Sequence, residues 1–158
     1  MRDKRFVAVH RGGPLKKEQH IQLILWSCLC AEHVLPLFGE KIDERLLHAL
    51  YIAKEWAKGK ATVGDARKAS VESHAAAREQ SSPVSIAIAR CVGHAVATAH
   101  MADHSLGGAL YALKALKYAG KSIEAERKWQ NDQLPPEIKK LVLTSRMQKE
   151  PLFKDLRI

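Results

Sequence analysis

Seven stretches of this chain repeat their apolar residues every three to four positions, and most open on a capping residue and close at glycine or proline. Strand-like alternation is confined to Arg5–His10, too isolated to build a sheet. That punctuation predicts an all-α, single-domain bundle or array of about seven helices joined by short loops. A first helix should begin near Lys16 and end where Pro36 and Gly39 interrupt the pattern. It is apolar on both sides: Ile21, Ile24, Leu25 and Cys28 form one stripe, and Leu23, Trp26, Cys30 and Val34 the other. A helix apolar all round is expected to be buried.

Asp43 can cap a second helix that runs to Gly59. Thr62 and Asp65 form a variant capping box for a third, whose inner face (Ala66, Ala69, Ser70, Ser73, Ala77) is small enough to let a neighbour come close. Ser82-Pro83 pairs a capping hydroxyl with proline at the first helical position. From Val84 to Ala119 no proline intervenes, and one straight helix would exceed about 50 Å. That is too long for a compact domain, so the stretch divides into helices over about 83–102 and 105–119, with Asp103 and Ser105 as candidate caps. Ser122 caps a sixth helix; Leu134-Pro135-Pro136 ends it and starts a seventh with the stripe Ile138, Leu141, Val142 and Ser145. The run Val84–Ala102 has the length of a membrane span, but Arg90, His94 and His100 make it too polar for lipid, so no membrane is expected.

The net charge of +9 is concentrated at the ends. Residues 1–17 carry six basic residues against Asp3, and residues 137–158 carry six against three acidic ones, which leaves the middle nearly neutral. The expected division is a basic N-terminal arm over 1–15, a helical bundle over 16–147, and a basic C-terminal tail over 148–158. Basic ends can hold nucleic acid through its phosphates. Neither interleaved aromatics nor a reader motif supports that use, and it is not the favoured one. Of three cysteines, Cys28 and Cys30 stand two apart on a helix, point about 200° away from each other and cannot bridge. Together with an N-terminus that lacks an apolar signal core, this suggests a cytoplasmic setting.

The histidines are the most suggestive group for chemistry. His94, His100, Asp103 and His104 are candidate metal ligands, because positions four apart share a helix face at ligand spacing. The expected helix break between His100 and His104, and the roughly 120° between His94 and His100, weigh against a shared site. No glutamate follows His100 in the zinc-protease pattern. Glu32, His33, His74 and Arg90 are further buried polar candidates. Glu32 sits in the apolar stripe of the first helix and needs a partner, with Arg67, Arg78, Arg90 or a histidine in view. A thiol nucleophile would pair Cys28 or Cys91 with a histidine, but free cysteines are usually small core residues. No catalytic residue or cofactor is indicated, since phosphate loops, paired zinc cysteines and nucleophile elbows are missing from the sequence.

The stretches CAEHVLPLF (30–38), AKEWAKGKATVGDARKASVESHAAAR (53–78) and GHAVATAHMADHSLGGALYALKA (93–115) resemble the helical domain of bacterial immunity proteins, the group similar to immunity-protein family five of polymorphic toxin systems. The resemblance spans roughly residues 30–130. It implies an all-α, non-catalytic binding protein whose partner is a toxin that it neutralises by contact, and it brings no catalytic residues with it. The alternative from the histidines is a metal-binding protein or metal-dependent enzyme. A nuclease inhibitor would ordinarily offer an acidic face to a basic enzyme. This basic chain points instead to an acidic or neutral target.

Overall fold

The computed structural model describes residues 3–149 and is all-α, with helices α1 (Lys17–Val34), α2 (Glu44–Ala57), α3 (Val63–Arg78), α4 (Pro83–Ala97), α5 (His104–Tyr118), α6 (Ile123–Asp132) and α7 (Pro136–Lys149). Single 3₁₀ turns cover Lys4–Phe6, Val9–Arg11 and Leu35–Phe38. Most of the expected caps form. Thr62 and Asp65 make the reciprocal capping box, Ser82 accepts from Ser85 N–H, and Ser122 accepts from Ala125 N–H. Asp103 occupies the N-cap of α5 without a side-chain cap bond. The break in the long apolar run falls earlier than expected: α4 stops at Ala97, and residues 98–103 turn the corner into α5. The expected alternation at Arg5–His10 resolves into 3₁₀ turns and one isolated bridge, Ala8 to Leu15.

The centre of the bundle is α4. Ten of its fifteen residues are buried, and it packs on α3, α5, α1 and α2. Such crowding works only if some side chains are missing. At Gly93 of α4 a Cβ would come within 2.7 Å of His74 Nε2, and at Gly107 of α5 within 2.8 Å of His94 Nδ1. At Gly108 it would overlap the Ser27 hydroxyl, which sits fully buried on α1 and donates to Ser105 C=O at 3.2 Å. Each glycine is therefore a notch that receives a polar side chain from the next helix. Ser70 Oγ donates to Gly93 C=O (2.9 Å) and Cys91 Sγ to Gly108 C=O (3.1 Å), which ties the same pairs of helices together. The small face expected on α3 is what lets it approach: Ala66, Ala69, Ser70, Ser73, Ala76 and Ala77 are all buried.

Two expectations about α1 need correcting. Its window Lys17–Phe38 is long and apolar enough to cross a membrane by length and composition, and half of it is buried in the bundle. It is not buried all round, because Leu25 and Leu29 are about two-fifths exposed. Glu32 lies one turn beyond Leu29 on the same side. It is half-exposed and pairs with Lys54 of α2 at 2.6 Å, not with an arginine or a histidine. The α2 and α6/α7 sides of α1 are both occupied, and the strip between them is left outward.

The N-terminal end is not a loose tail. Phe6 and Leu15 are buried, Arg5 is paired with Asp3 at 2.7 Å, and its guanidinium also donates to Thr144 of α7 at 2.6 Å. The basic N-terminal arm is thus packed onto the bundle. The expected C-terminal tail over 148–158 falls almost wholly outside the described residues.

Replacing Gly108 with alanine should lower stability by about 1–3 kcal/mol, because overpacking outweighs the gain in helix propensity of up to about 1 kcal/mol. Adding Ser27→Ala should recover part of that loss, whereas Gly64→Ala, which meets only Thr62 Oγ1 at 3.6 Å, should be near neutral. Urea denaturation followed by circular dichroism measures all three, and a Gly108→Ala protein as stable as the parent contradicts the notch.

Candidate functional site

The notches place a row of imidazoles on the outer edge of α3, α4 and α5. His74 meets His94 edge-on with centroids 5.5 Å apart, His94 meets His104 at 5.1 Å, and His104 meets His100 at 5.3 Å. All four are half-buried. Arg90 Nη1 donates to His74 Nδ1 at 2.7 Å, which leaves the proton of neutral His74 on Nε2. His94 Nδ1 and His104 Nδ1 lie 3.0 Å apart, so one ring donates and the other accepts. His94 also stacks on Tyr111 at 5.2 Å, and Lys114 sits over that phenol ring at 5.1 Å.

This row favours neutral rings. Burial, then His104, His74 and Arg90, pull His94 down to about 4. His74 is lowered by burial and then by Arg90 and Arg78. His100 is lowered by burial, His104, Arg67 and Arg11, with Asp103 alone opposing. The setting is therefore cation-rich: arginines surround uncharged imidazoles, and one carboxylate stands nearby.

The expected metal candidates thus meet only in part. His94, His100 and His104 form a continuous row, and Asp103 adjoins it. Among the described residues, however, no three His, Cys, Asp or Glu side chains gather in a way that could hold a metal ion. Arg67, Arg78 and Arg90 around the row further disfavour a divalent cation. His74 and Arg90, expected only as buried polar residues, belong to the same row. Glu32 and His33 lie elsewhere.

His33 marks a second polar cluster. Its Nδ1 is 2.7 Å from Glu126 Oε2, and its ring stacks on Trp129 with centroids 3.6 Å apart. Among the described residues Glu126 is the buried carboxylate, only 6% exposed, and sequence reasoning missed it in favour of Glu32. The signal was present in the spacing Ile123, Glu126, Gln130, which forms the inner face of α6. That helix docks through polar bonds: Gln130 donates to Ala109 C=O (3.1 Å), Trp26 Nε1 donates to Gln130 C=O (2.8 Å), and Arg146 reaches the side chains of Gln130 and Asn131. A cysteine nucleophile has no support in the geometry. All three thiols are free and buried, burial pushes Cys28 up to about 12 and raises Cys30 and Cys91 as well, and Cys91 spends its proton on a backbone carbonyl.

The described residues thus form an all-α bundle that carries a cationic imidazole ledge across α3, α4 and α5. The chain belongs to the family described as Imm-5 like putative immunity protein, which matches residues 13–137. This agrees with the resemblance carried by residues 30–115 and extends it to the start of α1. No curated protein and no solved structure matches the chain.

The lowered histidines predict a specific acid sensitivity. The unfolded chain takes up protons near the ordinary imidazole value of 6.5, while folded His94 resists until about 4. Stability is therefore present above that window and is lost as pH falls through it. The contribution of His94 is on the order of 2 kcal/mol after allowance for its partial exposure. A His94→Gln protein should lose less stability than the parent between about pH 7 and about pH 4.5 in urea titrations. An identical pH dependence in both proteins would remove the assignment.

Proposed function

We propose that this protein neutralises a partner protein toxin by binding it, and that the imidazole–arginine ledge of α3, α4 and α5 is the contact face. The observation that carries the reading is membership of an immunity-protein family over residues 13–137. The ledge supports it because Arg67, Arg78 and Arg90 concentrate positive potential beside His74, His94 and His104, which suits an acidic patch on the partner. Half-buried, stacked imidazoles held in glycine notches are also pre-organised, so little conformational freedom is lost on contact. The setting we infer is cytoplasmic, where three unpaired thiols stay reduced.

Co-expression with the toxin encoded beside this gene should restore growth. Charge reversal at Arg67 and Arg90 together should weaken toxin binding by at least about tenfold, mainly through slower association at low salt. Failure of the unaltered protein to rescue sinks the immunity reading. Rescue and affinity undiminished by the double reversal would instead move the contact to another face.

A further inference from the structure

A second cation-rich feature lies at the far end of the row, under the packed N-terminal arm. A cavity of about 70 Å³ opens between the arm, the C-terminal end of α2 and the corner that joins α4 to α5. Its floor is apolar, with Phe6, Trp56 and Met101 among the lining residues. Every ionisable side chain that lines it is basic or an imidazole: His10, Arg11, Lys17, His20 and His100. Its volume suits one compact functional group and not a nucleotide.

The lining holds no counter-charge. Several cations elsewhere do face a carboxylate: Arg5 with Asp3, Arg45 with Asp43 and Glu79, Lys54 with Glu32, Arg127 with Glu124, and Lys128 with Asp132. At the cavity Arg11 and Lys17 have no carboxylate partner among the described residues. Lys17 rests on the Trp56 ring at 4.0 Å, and the charge of Arg11 is felt by both His20 and His100. His100 adds a ring nitrogen, Nδ1, that is shut off from solvent and bonds to nothing. His20 is held by donation from Nε2 to Thr98 C=O at 2.5 Å.

The arm fixes this arrangement. Val9 N–H donates to Leu15 C=O (2.9 Å), Leu15 N–H to Val7 C=O (3.0 Å) and Gly13 N–H to Ala8 C=O (3.0 Å), which closes a tight loop over residues 7–15. Gly12 turns it at φ 86°, a left-handed conformation suited to glycine. Phe6 and Leu15 anchor the loop in the core, so His10 and Arg11 are presented at the cavity mouth from a fixed backbone. This wall lies before residue 13, outside the family match.

We infer that this cavity binds a small oxyanion, a carboxylate or a phosphate group, held by Arg11 and Lys17 with the imidazoles of His20 and His100 behind them. Its charge would relieve the repulsion between Arg11 and Lys17, for which no carboxylate partner stands among the described residues. The site is independent of any partner toxin, and it can be tested on the protein alone.

The test is a titration of the full chain with inorganic phosphate, and separately with acetate, in chloride buffer at constant ionic strength. Amide and indole NMR shifts provide the readout. Saturable shifts centred on Trp56, residues 99–102 and the 7–15 loop are expected. Phosphate alone saturating the site identifies a phosphate ligand, and saturation by both identifies a general oxyanion site. Arg11→Gln and Lys17→Gln, both at exposed positions, should each weaken binding by about tenfold, while Lys139→Gln on α7 should not. Shifts that never saturate, that scatter over the surface, or that weaken equally in all three variants overturn the site.

Discussion

The fold depends on the absence of three side chains. Gly93, Gly107 and Gly108 let α3, α4, α5 and α1 approach closely enough that His74, His94 and Ser27 project into the neighbouring helix backbone. Glycine in a helix interior costs roughly 1 kcal/mol of intrinsic propensity relative to alanine. The bundle accepts this three times within sixteen residues because each vacancy is filled by a side chain that also carries polar function. Alanine-rich helices supply little area per residue, so close approach is how this core reaches the density of ordinary interiors. Ser70 and Cys91 then lock the same interfaces by donating to the carbonyls of Gly93 and Gly108, so the backbone is bonded across as well as packed.

The same geometry sets the chemistry of the surface above it. An imidazole packed tightly against a glycine has little room to turn away from its neighbours, and burial then works against its charge. Arg90 donates to His74, so guanidinium and neutral imidazole coexist at 2.7 Å, an arrangement in which protonating the ring would be unfavourable. The result is a ledge whose fixed charge comes from arginines and whose histidines serve as rigid, polar, aromatic bodies. Such a surface is a better platform for recognition than for acid–base work, since a general base needs a proton affinity near working pH.

Much of the architecture was legible because helix ends are local chemistry. Thr62 with Asp65, Ser82 with Pro83, and Ser122 each announced a helix that begins within a residue of the expected place. What failed was tertiary in origin. The end of α4 was expected near 102, just before the candidate caps Asp103 and Ser105, but the chain leaves the helix at Ala97 to turn under the arm. Glu32 sat in an apolar stripe and read as buried, yet that stripe faces outward beyond Leu25 and Leu29, and Lys54 reaches it from α2. Glu126 was overlooked because two of the three residues on the inner face of its helix, Glu126 and Gln130, are polar and dock by hydrogen bonds, so the spacing did not read as a core stripe. The meeting of His74, His94, His100 and His104 could not be inferred from spacing. It spans three helices and a corner, and only the glycine notches determine that the rings face one another.

The distribution of charge pairs connects these features. Several basic side chains on the surface stand three or four residues from a carboxylate, or across from one on the next helix, and such exposed pairs contribute little individually. The cavity between the N-terminal arm and the α4–α5 corner is lined differently. Arg11, Lys17, His20 and His100 converge there with no carboxylate in the lining, although the loop that carries Arg11 is tied down by five backbone hydrogen bonds within residues 7–15 and by the buried Phe6. Folding energy is thus used to hold like charges together, against their mutual repulsion, at one end of a ledge that is itself cationic. A chain whose only requirement was solubility would gain by letting this arm swing free. Its burial indicates that the positive corner is a placed feature of the fold and not a by-product of a basic sequence.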